Sequence, residues 1–231
     1  MGLRPGALES VALSRMLDLG PLTRDGLVDT TVRQLEHLIP DGRPIERALI
    51  DRNIAETLAR LEACINAVRA WPAGAFDHLH SSQYCTYLYF LANTIWRNSG
   101  ERELPTRLFL LNKALNAIDL FFEIELPKVF YVGHSVGIVL GKARYGERLV
   151  LYQHSTVGRN YDVYPTLGDG VVLYPNASIV GRCAVGDRTL VSVGVSVLNR
   201  DVPGNCAVFA GQDGDLVFKP PGRDVFADFF R

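Results

Sequence analysis

The chain has 231 residues, 24 basic and 25 acidic, for a net charge of -1 with the two signs interspersed, which leaves no electrostatic footprint for nucleic acid or an anionic membrane. An apolar content of 48% is enough for one large core or two modest ones without a covalent staple. The four cysteines (Cys64, Cys85, Cys183, Cys206) form no CxxC pair, which argues against a zinc knuckle or disulfide framework and for reduced thiols in a cytoplasm.

At the start, MGLRPGALESVALSRM holds no apolar run bounded by a cleavage site, and nowhere does the chain reach the about 18 apolar residues that span a bilayer, so a soluble, unprocessed, cytoplasmic protein is expected. Apolar residues then recur at three and four in LVDTTVRQLEHLI (27–39) and in PIERALIDRNIAETLARLEACINAVRAW (44–71), which predicts two helices, the second with a Pro near its first turn. His37, in LEHLIP, reads as structural. The run WPAG breaks the pattern at Trp71. Next comes DHLHSSQY, which collects Asp77, His78, His80 and Gln83 ahead of a helix and reads equally well as an N-terminal cap supplied by Ser81 or Ser82. YCTYLYFLANTIW (84–96) and LPTRLFLLNKALNAIDLFF (104–122) predict paired, deeply packed helices joined by RNSGERE. The changeover to β structure is placed at 123–127, where a Pro ends the helix.

From Leu167 the chain repeats every six residues, as LGDGVV, LYPNAS, IVGRCA, VGDRTL, VSVGVS and VLNRDV. The openers Leu167, Leu173, Ile179, Val185, Val191 and Val197 are aliphatic, and Val171, Ala177, Cys183, Thr189 and Val195 fill the fifth position. A period of six suits neither an α-helix nor an uninterrupted sheet. It suits short parallel strands joined by turns, in coils stacked about 4.8 Å apart, with the openers forming an internal ladder. The same phase appears upstream in VLGKAR, YGERLV and LYQHST, with openers at Val139, Tyr145, Leu151 and Val157. Between Val157 and Leu167 about four residues exceed one unit, which predicts a protruding loop at RNYDVYP (159–165) and marks a working face. The fold class is thus α+β, a helical N-terminal domain (1–122) followed by a hexapeptide-repeat solenoid with a C-terminal tail (123–231).

A helical half followed by such a solenoid resembles the serine O-acetyltransferase family, most closely in IELPKVFYVGHSVGIVLGKARYG (124–146) and onward through VGVSVLNRDVPGNCAVFAGQ. The resemblance implies a left-handed parallel β-helix, acetyl-CoA as co-substrate, no metal, and a homotrimer that can pair into a dimer of trimers. GHSVGIVLG is similar to the family's catalytic histidine segment, which makes His134 the general base. An imidazole titrates near neutrality, so it can take a proton from an acceptor hydroxyl and return it to the leaving thiolate without an acyl-enzyme. The family's orienting carboxylate is matched most nearly by Glu123 or Glu125, at a shorter spacing than in the family. For the acceptor, the family layout implies contacts from Asp77, His80 and Gln83; His154, twenty residues after His134 and so one 18-residue coil plus two, is expected on the same side, and Tyr164 stands where the family's later loop meets the acceptor. For CoA it implies Asn176, Ser192, Val193 and Gly194 beside the pantetheine arm and Gly211 and Lys219 near its tail.

Three positions depart from the family pattern. Typical members carry Asp immediately before the catalytic His and an Arg-His pair before Pro in the later loop; here these read Gly133, and Val163 with Tyr164. The missing groups would hold an amino acid's ammonium and carboxylate. The expected function is therefore acetyl transfer to a hydroxyl, with L-serine modestly ahead of a sugar or secondary metabolite. A non-catalytic scaffold of the same fold is the alternative. A zinc enzyme of the carbonic anhydrase kind needs three histidines, and the solenoid offers only His134 and His154.

Overall fold

The computed structural model describes residues 17–222 and 224–231, so the expectation of an unprocessed N-terminus lies outside the described residues. Four helices come first: α1 (Arg24–Leu38), α2 (Arg47–Ala67), α3 (Ser81–Ser99) and α4 (Glu103–Asn116). The Thr23 side chain caps α1 by accepting from Gly26 N at 3.0 Å. α3 is buried on every side from Ser82 to Ile95, because a helix apolar all round has to be central; it packs between α2 and α4. α2 is shorter than expected, with Pro44 ahead of it instead of in its first turn. α4 also ends early, at Asn116: Ala117 turns left-handed (φ 51°) and its N–H caps Lys113 O at 3.0 Å.

The first strand, β1 (Asp119–Leu120), follows at once, so the changeover precedes the 123–127 segment predicted for it. Residues 122–126 are instead pinned to α3. Asn93 Nδ2 donates to Phe122 O, and the Tyr89 hydroxyl donates to Ile124 O and accepts from Leu126 N. These bonds satisfy buried backbone groups that no strand pairs.

The remaining strands are β2 (Phe130–Val132), β3 (Val139–Leu140), β4 (Leu149–Leu151), β5 (Thr156–Gly158), β6 (Thr166–Leu167), β7 (Val172–Leu173), β8 (Ser178–Val180), β9 (Ala184–Val185), β10 (Leu190–Val191), β11 (Ser196–Leu198), β12 (Ala207–Ala210) and β13 (Leu216–Lys219). They stack into three walls. One runs β1-β3-β5-β8-β11, a second β2-β4-β7-β10-β12, and a third β6-β9; all pairs are parallel except β13, which folds back antiparallel on β12. The six openers from Leu167 to Val197 are buried, as are the five residues at the fifth position, so the period of six is the period of the core. Upstream the phase slips by one: β3 pairs Leu140, not Val139, with Val157, and Val139 faces outward. The loop expected at 159–165 is present. Val157 faces Ile179 after 22 residues, whereas Ile179 faces Val197 after the regular 18.

Past β13 the chain crosses the outer face of the second wall as a strap. Asp224 pairs with Arg188 at 2.7 Å, and Phe226 of α5 (Phe226–Phe229) lies over Gly170 between the guanidinium groups of Arg148 and Arg188. Phe229 meets Tyr131 and Tyr152. The Arg231 guanidinium then donates to the carbonyls of Asn66, Val68, Arg69 and Trp71 at the end of α2. Such a cation satisfies carbonyls that a helix C-terminus leaves unpaired. No helix among the described residues is long and apolar enough to cross a membrane.

Candidate active site

The second and first walls meet at an edge made of four stacked corners. Three of them need five steps from wall to wall: Leu151 to Thr156, Leu173 to Ser178 and Val191 to Ser196. The corner from Val132 to Val139 needs seven, and the two extra residues push His134 outward, where its ring is exposed. Along this edge the chain turns left-handed once in each corner, going down from the His134 corner, at Gly137 (φ 73°), His154 (58°), Asn176 (61°) and Gly194 (71°). Each of the last three donates its N–H to the corner above: His154 to Val136 O, Asn176 to Gln153 O and Gly194 to Pro175 O. Gly137 has to be glycine. A Cβ there would lie 2.2 Å from His154 Nδ1.

The widened corner is held from two sides. Ser82, at the start of α3, donates its hydroxyl to Gly133 O at 3.1 Å, so the 77–83 segment reaches the His134 corner. Tyr152 lies across Gly133, with 6.5 Å between its ring centroid and that of His134, and stacks on Tyr174 at 5.7 Å. Gln153 Oε1 and Ser155 Oγ are buried beneath this edge without a hydrogen-bond partner among the described residues.

Of the residues expected at the acceptor, Asp77 and His80 are exposed near this corner, while Gln83 is buried with its Oε1 taken by Asp77 N at 2.7 Å. The cap of α3 is His80, whose Nδ1 accepts from Gln83 N, and neither Ser81 nor Ser82 fills that role. His154 is on the edge. Tyr164 is not: the 159–165 loop joins β5 to β6 and so leaves from the far side of the first wall. Asn176, Ser192, Val193 and Gly194 line the lower corners of the His134 edge. Gly211 opens the β12–β13 turn, donating to Asp215 O, and Lys219 sits over the Phe209 ring at 5.3 Å.

The two expected carboxylates lie elsewhere. Glu123 pairs with Arg102, and Glu125 faces Asn93 Nδ2 at 3.4 Å and Arg97 Nε at 3.9 Å; neither contacts His134. A residue that the sequence reading passed over stands closer in the topology. β1 pairs with β3, placing Asp119 opposite Val139 on the rung just past the widened corner. Asp119 Oδ2 holds Lys113 Nζ at 2.6 Å, and its Oδ1 carries no hydrogen bond among the described residues. The signal was a single Asp in IDLFF, inside a stretch read as helix.

Among the described residues no group of three or more His, Cys, Asp or Glu side chains is placed to hold a metal ion. No family model matches the chain. A serine acetyltransferase of Synechococcus elongatus is 28% identical over 121 residues, which is 50% of this chain and 49% of that protein. The chain spans about half the length of the curated relatives it matches. Soybean serine acetyltransferase complexed with serine superposes with a TM-score of 0.57 at 26% identity, covering 71% of this chain and 68% of that one. A serine acetyltransferase in complex with CoA superposes with a TM-score of 0.67 at 20% identity over 84% of each chain, and shares the helical half followed by a left-handed parallel β-helix.

Proposed function

We propose, for a chain that is serine O-acetyltransferase-like in sequence and fold, that it transfers an acetyl group from acetyl-CoA to the hydroxyl of a small acceptor, with His134 as general base. The observation that carries this reading is the gathering of His134, His154, Asn176, Ser192, Val193 and Gly194 on one solenoid edge. His134 would take the hydroxyl proton as the acceptor oxygen attacks the thioester carbonyl. The C–S bond then breaks and the CoA thiolate leaves with that proton. Backbone N–H groups at the corners are suited to the tetrahedral oxyanion. Asp119, with one oxygen free, is the carboxylate we assign to orient His134, in place of Glu123 or Glu125.

In this reading residues 1–122 supply acceptor contacts through the 77–83 segment and residues 123–231 supply the CoA contacts. The chain works as a homotrimer in the cytoplasm. Exposed Val136, Val139 and Leu198 near the His134 edge support burial against a second copy, and four buried free thiols suit a reducing compartment. The acceptor is L-serine or a sugar-like hydroxyl compound. Gly133 favours the second, since a Cβ there would lie 2.7 Å from Tyr152 Cε1 and the position offers no charge to an ammonium group. Thiol release from acetyl-CoA, with L-serine beside a panel of sugars and nucleotide sugars, tests all of this. Turnover with one acceptor, lowered about 10²- to 10⁴-fold in His134→Ala, is expected; full activity in that variant would remove the proposal.

A further inference from the structure

A cleft of about 530 Å³ opens between α2, α3 and the 125–128 segment that leads into β2. It is large enough for a small metabolite. Its apolar floor is Ala59, Ala63, Leu126 and Pro127, and its charged rim carries three cations and three carboxylates. They are not equally free. Glu147 accepts the Lys128 and Val129 N–H groups on its two oxygens at 3.3 Å, Glu56 accepts from Asn98 at 2.8 Å, and Glu125 faces Asn93 and Arg97. The cations keep donors to spare. Arg60, half-buried, lies over the Phe90 ring and gives one bond to Thr94 at 2.7 Å; neither it nor Lys128 makes an ion pair among the described residues. Burial pulls the Arg60 guanidinium down from its usual range, outweighing the opposing pull of Glu125 and Glu56.

We propose that this cleft binds a small oxyanion, a phosphate- or carboxylate-bearing metabolite, through Arg60, Arg97 and Lys128. Arg60 supplies a planar fork, Lys128 a mobile point charge and Arg97 its unused guanidinium nitrogens. The cleft residue Lys128 and His134 lie beyond opposite ends of β2, and no cleft residue belongs to the His134 corner, so the oxyanion occupies a site apart from the acceptor edge.

The test is a thermal-shift and calorimetric titration of the full chain with inorganic phosphate and, separately, malonate, both under saturating CoA so that phosphate sites used by CoA are filled. Saturable binding of either probe, weakened about tenfold or more in Lys128→Gln and in Arg60→Gln, is expected. Phosphate alone would mark a phosphoryl ligand, and malonate alone a carboxylate. Lys128 is exposed, so its variant folds even if Arg60→Gln does not. No saturable binding of either probe, or equal affinity in Lys128→Gln, would overturn the proposal. Thiol release is read separately, so failure here leaves the acetyl-transfer reading standing.

Discussion

Single residues decide how the His134 edge is built. Gly137→Ala puts a Cβ 2.2 Å from His154 Nδ1 at a left-handed φ, and should cost at least about 1 kcal/mol in urea unfolding. Adding His154→Ala removes the clash but leaves the backbone strain, so it should restore only part of that loss. Asp119→Asn should lower kcat with KM little changed, while Glu125→Gln should leave turnover within about twofold of the parent; the reverse pattern would return the orienting role to Glu125. At this scale the sequence spoke through resemblance more than through period. His134 and the lower-corner residues were proposed because their segments resemble those of the serine O-acetyltransferase family, whereas the six-residue repeat gave only the coils on which they lie. Asp119 was not, because the apolar spacing of α4 runs on through Ile118 and Leu120 and conceals the change of backbone at Ala117. A helix that stops on a left-handed Ala gives no Gly or Pro to read.

Among elements, irregular corners do most to shape the molecule. The step from Leu140 to Tyr145 is one residue shorter than the six-residue unit, which explains why Val139, apolar and in phase by sequence, lies outside the core: a slip of one residue turns a side chain to the opposite face of its strand. The four-residue excess after β5 is an exposed loop tipped by Tyr161, and cutting 159–165 by four residues should leave the far-UV spectrum and melting temperature nearly unchanged, since loop length costs little. Loss of acceptor turnover in that variant would show that the loop serves the site, and unaltered turnover would make it a tolerated bulge. All four helices were foreseeable from spacing, whereas the path of residues 122–126 was not, because it is held by Tyr89 and Asn93 of α3 through bonds that no local pattern announces.

For the molecule as a whole, buried phenols and thiols set an alkaline limit. Burial pushes Cys64, Cys85 and Tyr84 up to about 12, and raises Tyr87, Tyr89 and Tyr145 in the same sense. A folded-state pKa above the unfolded one means the native state holds its protons longer. Stability from these groups is therefore complete below about pH 9 and is lost as pH climbs through about 12, which near-UV circular dichroism should report as cooperative loss of tertiary signal. The strap that returns from β13 to α2 bears on the same stability. A stack of coils normally frays from its free end, each unit leaning only on its neighbours. Here the final coil is tethered back to the helices at the other end by Asp224, Phe226, Phe229 and Arg231. The array thereby becomes a closed circuit, in which peeling the last turn also means pulling a plug from the base.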